Sequence, residues 1–381
     1  MLTLPNNQFV MMRKYFLWGL CTLLTNFVSA QPTQDFEMEV LIQCPAVEDQ
    51  QYSPTCWSFG SNSFLESELL RMKKPKVNLS EMYFAYHAYI LKTKQFLATQ
   101  GSSFFTGGGQ FHDILHLLKI YGAMPESAYQ GKAIFTGHYH SPLDTLMKHY
   151  AENLLHNNKK ELNSHDEDFL KSILNTFLSV PPKNFIYENQ NYTPQSFSRD
   201  VLGINPDDYI EITSLKSEKY YEKIILKDKY NWTKDYYYNV PLQDFSEICL
   251  YALQKGYSVL WDGDSVEPTF QAENGLAFLP DSVQVNEQNR QIYIDNKSTQ
   301  IEHIMHIVGV AKEKEKESGK KRKMKTKNAK HWFYVKNSWG EISSFKGFIY
   351  MSEDYFKMKT IAIALHKDAL PTDIRKKLKI K

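Results

Sequence analysis

Hydrophobic period changes once along this chain, at Pro181-Pro182, and that switch limits the architectures open to it. Before it, apolar residues recur at helical spacing. Phe59, Phe64, Leu65 and Leu69 predict a helix from Cys56 to about Lys73, stopped by Lys73-Lys74-Pro75. A second helix begins near Ser80, which can cap it with Glu81 in the first turn. A third, Gln110 to Tyr121, follows the run Gly107-Gly108-Gly109 and ends at Gly122. Two amphipathic stretches then fill 142–178, one on Leu143, Leu146, Met147, Tyr150 and Leu154, the other on Phe169, Leu170, Ile173, Leu174 and Phe177. After Pro181 the runs are short and strand-like: 185–187, 209–212, 258–261, 291–294, 304–311, 332–336 and 347–351. An earlier strand is expected within 31–43. Helices followed by strands predict an α+β fold.

The 381-residue chain is 42% hydrophobic and carries a formal net charge of +2, so it can build a large core and shows no bulk attraction for polyanions. Nucleic acid is therefore not an expected partner. Positive charge does gather in 312–330, with ten Lys/Arg against three Glu; a solvated loop between strands is the reading, with docking on an acidic surface as the alternative. At the N-terminus Arg13 and Lys14 precede the apolar run Tyr15–Leu24, and Val28-Ser29-Ala30 places small residues where a signal peptidase reads. Residues 1–30 are thus predicted to be a signal peptide cut after Ala30, giving a secreted or periplasmic protein; an uncleaved anchor is the alternative. Loss of Cys21 would leave Cys44, Cys56 and Cys249, an odd number that implies at least one free thiol. Whether Cys44 and Cys249 pair is open at this point.

Four residues in order suggest nucleophilic chemistry. A thiol in the first turn of a helix gains from the helix dipole when it ionises, and Cys56, followed by Trp57, takes that place. Gln50, six residues earlier, can bring an amide N–H to the site where the Cys56 N–H would hold an oxyanion. His303 opens the apolar strand Ile304–Ala311 and supplies a base. Asn337, in Lys336-Asn337-Ser338-Trp339-Gly340, can fix the tautomer of that base, and the Trp339 indole can shield the bond from water.

This order of Gln50, Cys56-Trp57, His303 and Lys336-Asn337-Ser338-Trp339-Gly340 resembles the papain superfamily. Gly108-Gly109-Gln110, Leu117 to Pro125, Tyr192 to Phe197 and Asn239-Val240-Pro241-Leu242 are similar to the bleomycin hydrolase and aminopeptidase C group. The resemblance spans about residues 40 to 380. It implies a papain-like cysteine peptidase over 31–381, with a helical half carrying Cys56, an antiparallel β half, a helical insertion at 142–180 and a basic loop at 312–330. Implied catalytic residues are Cys56, His303, Asn337 and Gln50; implied substrate-binding residues are Gly108, Gly109, Trp57 and Trp339. Peptides would be the substrates, no metal or organic cofactor is called for, and a homo-oligomer, hexameric in that group, is an implied partner state. In that group a C-terminal arm restricts cleavage to free N-termini; whether the basic run Arg375–Lys381 reaches the groove here is open at this point. Pro54-Thr55 before Cys56 and Glu302 before His303 depart from the pattern, and proline fixes its own φ in the loop that follows Gln50.

The remaining histidines are read as structural. His306 alternates away from His303 along the strand; His112 and His116 share a helix face but lack the adjacent Glu of a zinc-peptidase motif; His138 and His140 sit in a loop. Trp261, Asp262 and Asp264 line either the groove or the core. The expected activity is peptide hydrolysis through a Cys56 thioester with trimming from the amino terminus. The alternatives are an open-groove endopeptidase, a thiol-dependent amidase or acyl transferase, and a silent peptide-binding protein.

Overall fold

A computed structural model describes residues 35–314 and 331–380. The predicted targeting segment 1–30, most of the basic loop (315–330) and Lys381 lie outside the described residues. Strand β1 (Phe36–Leu41) precedes five helices: α1 (Cys56–Arg71), α2 (Glu81–Ala98), α3 (Phe111–Tyr121), α4 (Ser141–His156) and α5 (Ser164–Leu178). There follow β2 (Phe185–Tyr187), β3 (Gln190–Tyr192), α6 (Pro194–Phe197), β4 (Tyr209–Thr213), β5 (Glu222–Ile225), β6 (Tyr236–Asn239) and α7 (Leu242–Gln254). Next come β7 (Val259–Gly263), β8 (Phe270–Gln271), β9 (Leu276–Ala277), α8 (Glu287–Asp295) and β10 (His303–Glu313). The chain closes with β11 (Trp332–Lys336), β12 (Phe348–Ser352), α9 (Glu353–Lys359), β13 (Thr360–His366) and α10 (Thr372–Lys377).

One sheet runs β5-β6-β4-β13-β7-β10-β11-β12-β9-β8. Its pairs are antiparallel as expected, save β4 with β6 and β9 with β12, which are parallel. Long β10 is central: β7 pairs its first half, β1 its second, and β11 the opposite edge. Alternation along β10 and β7 divides the core. Ile304 and Leu260 join the helical core, while Met305, Ile307, Val259 and Trp261 join the core under α7 and α9. Helix α1 is buried on nearly every side, which is why its hydrophobic pattern is weak. It crosses β10 at Gly60, where an added Cβ would lie 2.9 Å from the Ile304 side chain and 3.1 Å from its carbonyl oxygen. This crossing brings the first turn of α1 beside the first residues of β10.

The predicted insertion forms an antiparallel pair, α4 and α5. Leu143, Met147, Ala151, Leu170, Leu174 and Leu178 pack into the same core as α1–α3, so the pair completes the helical half. Leu146 and Phe169, placed on the apolar stripes from sequence, are instead half exposed. The strand expected at 291–294 is part of α8. Asn286 caps that helix by accepting from the Asn289 N–H at 2.8 Å, and Arg290 anchors it through the Ser214 and Lys357 carbonyls. Helix α7 and strand β13 were not anticipated. No helix among the described residues is long and apolar enough to cross a membrane. The described cysteines Cys44, Cys56 and Cys249 are all free, and Cys249 is buried in α7.

Candidate active site

Three separate pieces of chain meet where α1 begins. Thr55 is the N-cap residue of α1; its carbonyl accepts the Ser58 and Phe59 N–H groups, and the Cys56 and Trp57 N–H groups ahead of them face the Cys56 sulfur. Cys56 is half-buried, and the Ile304 N–H also points at its sulfur, so the thiol abuts the His303–Ile304 peptide. Burial pushes the thiol up to about 11; the three N–H groups pull it down, and the charge of Asp262 pushes it up.

His303 is buried and its Nε2 lies 2.7 Å from Asn337 Oδ1. That contact makes Nε2 the protonated nitrogen and leaves Nδ1 as the basic one. Burial lowers the imidazole to about 4, and the Asn337 bond works in the opposite direction. The Trp339 ring stacks on His303, with centroids 4.7 Å apart and planes at 28°, and Phe270 backs the indole. The predicted cover over the His–Asn bond is therefore in place. Burial thus disfavours the charged form of both groups, while the N–H groups at the sulfur and the Asn337 bond at the imidazole favour it.

Gln50 is stitched to the same strand end. Its N–H bonds the Ser338 carbonyl at 2.9 Å, and its Oε1 accepts from Ser338 Oγ at 2.7 Å. One Nε2 hydrogen goes to the Ser53 carbonyl at 2.9 Å, leaving the second for the cleft. Ser53 closes the turn ahead of Pro54 by donating Oγ–H to the Gln50 carbonyl at 2.7 Å. Ser338 was missed from sequence; a serine between an asparagine and a tryptophan carries no signal of its own.

The glycine run lies along the other wall. Trp57 Nε1 donates to the Gly107 carbonyl at 2.8 Å. Gly108 has its N–H on Thr106 Oγ1 and its carbonyl on buried Lys92, and a Cβ there would sit 2.7 Å from the Tyr230 ring. At Gly109 a Cβ would fall 2.6 Å from Asp113 Oδ2 and 2.9 Å from Trp57. Close packing therefore explains both glycines, before any role toward substrate.

A helix-borne cysteine thus stands beside a buried, tryptophan-covered His–Asn pair, where a helical half meets a β half. The model of the peptidase C1-like family matches residues 19–381. The chain belongs to that family. This peptidase is 25% identical to aminopeptidase C of Lactobacillus delbrueckii subsp. lactis over 92% of its own chain and 87% of the relative. It is 26% identical to aminopeptidase W of the same organism over 98% and 92% of the two chains. Its fold is matched by the crystal structure of PepW from Lactobacillus rhamnosis HN001 at a TM-score of 0.67 and 20% identity, covering 92% of this chain and 86% of that one. It is a cysteine peptidase with a papain-like α+β fold.

The other histidines of the peptidase lie away from this cluster. His306 Nδ1 is 2.9 Å from Ser63 Oγ, which also accepts from Lys336, and its ring sits against Phe64. His112 pairs with Glu211 at 2.8 Å, and His116 with Asp235 at 2.8 Å. Among the described residues no group of His, Cys, Asp and Glu has the arrangement of a metal site. His138 and His140 are buried in their loop and lowered to about 3 and about 4 by burial.

Proposed function

We propose that Cys56 attacks the scissile carbonyl of a peptide and that cleavage proceeds from a free amino terminus. The observation that carries the assignment is the His303–Asn337 bond, buried beneath Trp339 and adjoining the residue whose N–H faces Cys56. As the S–C bond forms, the Cys56 proton passes to His303 Nδ1. The oxyanion is held by the Cys56 N–H and the free Gln50 Nε2 hydrogen. His303 then returns the proton to the departing amine and the C–N bond breaks, leaving a thioester. Water adds to the thioester with His303 as base, which releases the acid and restores the thiol. Asn337 keeps the imidazole turned toward Cys56 throughout.

The names of the aminopeptidase relatives support trimming from the amino terminus over internal cleavage. The described end of the chain makes its contacts elsewhere: Lys377 meets Tyr221 and Asp244, and Ile374 and Leu378 are buried under α7. Export through residues 1–30 is part of the same proposal, and N-terminal sequencing of the mature protein tests it, with Gln31 expected first. For the activity, matched fluorogenic peptides with free or acetylated amino termini are offered to the wild type and to Cys56→Ala. Cleavage of the free form alone, lost in the variant, is expected. Equal cleavage of both forms gives an open-groove endopeptidase. Cleavage of neither under reducing conditions refutes the proposal.

A further inference from the structure

The cleft holds a carboxylate that the catalytic scheme leaves unused. Asp262 lies near the end of β7, directly opposite Ile304 in the β7–β10 register. Strand alternation turns it from the Trp261 side toward the side where α1 begins. Its charge reaches Cys56, yet the residue is only 6% exposed. Oδ2 has a long 3.5 Å contact from Gln110 Nε2, and Oδ1 has no hydrogen-bond partner among the described residues. Gln110 follows Gly108-Gly109 and caps α3, while its own Oε1 is taken by the Tyr237 hydroxyl. Tyr230, roofing Gly108, feels the charges of Cys56, Asp228 and Asp262 together. Asp262 thus lies buried opposite Ile304 and against Gln110, at the place where α1 meets β10, and near enough for its charge to act on Cys56.

A desolvated carboxyl with an open oxygen is costly unless a donor, best a charged one, completes it. Other acids of this region hold closer donors: Glu211 has His112, Asp144 has Tyr89, and Asp113 has the Gln110 N–H and Trp232 on Oδ2, though its Oδ1 is likewise unpartnered. Among the charged groups acting on Asp262, Asp228 and Glu211 repel its charge, and the opposing His112 is already committed to Glu211. Burial and these like charges hold its pKa well above the ordinary carboxylate range, a bias that an arriving cation reverses. A peptide brings cationic nitrogen into the cleft as its α-ammonium or as a Lys or Arg side chain.

We propose that Asp262 anchors a cationic nitrogen of the substrate beside Cys56 and so determines which peptides are cut. This rests on the cysteine-peptidase reading above. The α-ammonium and a basic side chain share the chemistry, and three aminomethylcoumarin amides separate them: leucyl, N-acetyl-leucyl and N-acetyl-lysyl. In Asp262→Asn, which keeps size and hydrogen bonding, kcat/KM for one cationic substrate should fall at least about 30-fold, since half of a buried charge pair is lost. A collapse for the leucyl amide assigns Asp262 to the α-ammonium; a collapse for the acetyl-lysyl amide assigns it to the side chain.

If the wild type is active and kcat/KM for both the leucyl and the acetyl-lysyl amide survives the substitution, this inference is overturned while the peptidase reading stands. If the wild type cuts none of the three, both fall. Should Asp262→Asn fail to fold, inhibition of the wild type decides. Stronger competition by leucinamide and lysine-bearing peptides than by 4-methylpentanamide supports the anchor, and equal competition overturns it.

Discussion

Replacing Ser338 with alanine removes the 2.7 Å donor to Gln50 Oε1 and nothing else that the site uses, because the Ser338 backbone bonds to Asn337 Oδ1 and Gln50 N–H remain. With one of its two amide anchors gone, Gln50 retains only the Ser53 contact and samples orientations in which its second Nε2 hydrogen misses the oxyanion. A neutral hydrogen bond contributes about 0.5–1.5 kcal/mol, so kcat should fall about 2- to 13-fold at 1.36 kcal/mol per factor of ten. Gln50→Ala, which removes the donor itself, should cost on the order of 100- to 1,000-fold in kcat. The two effects are not additive if Ser338 acts through Gln50: in the Gln50→Ala background Ser338→Ala should cost nothing further. Steady-state kinetics on the four proteins of this cycle, under reducing conditions, give the coupling directly. An undiminished Ser338→Ala effect in the absence of Gln50 would refute the reasoning.

A resting thiol held near pKa 11, beside an imidazole already neutral above about pH 4, has a further consequence. Alkylation of Cys56 by iodoacetamide in the empty protein, with Cys56→Ala as the blank, should rise about tenfold per pH unit between pH 7 and 9. A rate flat across that range means that the ion pair is pre-formed. His112 supplies a stability test. Burial disfavours its charge, but Glu211, Asp113 and Asp235 together raise it to about 9 from 6.5. A raised folded-state pKa stabilises fully below pH 6.5 and loses the contribution as pH climbs through 9. The shift corresponds to about 3 kcal/mol. The Tm deficit of His112→Gln should therefore be large at pH 6 and mostly gone at pH 9.5, and a deficit independent of pH assigns His112 to packing alone.

Much of this molecule is legible in its sequence because the informative signals are local. A thiol at a helix start, a histidine opening an apolar strand and an Asn-Ser-Trp-Gly turn need only their neighbours to be read. The order in which they occur then fixes the half of the fold each belongs to. The α1, α2, α3 and β11 boundaries follow from apolar spacing, caps and breakers for the same reason. Where local signals conflict with context, reading fails. Ile292-Tyr293-Ile294 has strand-like residues, but Asn286 and the buried Arg290 hold it in α8. β13, with Ile361 to Leu365 buried throughout, lacks the alternation that marks a half-exposed strand. For α7 the helical spacing of Phe245, Ile248, Cys249 and Ala252 was present in the sequence and went unused.

By itself the sequence determined that a helical half precedes a β half and singled out Cys56, His303, Asn337 and Gln50 as candidates for the chemistry. The tertiary structure decided how they act. Only the crossing of α1 over β10 at Gly60 sets Cys56 against Ile304, and only the stitching of residues 48–50 to 337–340 ties Gln50 to Ser338. Burial, which no spacing encodes, disfavours the charged forms of Cys56 and His303 and leaves Asp262 Oδ1 without a partner among the described residues. Periodicity along a chain specifies what faces inward, whereas desolvation and pairing depend on which inward-facing groups arrive at the same place.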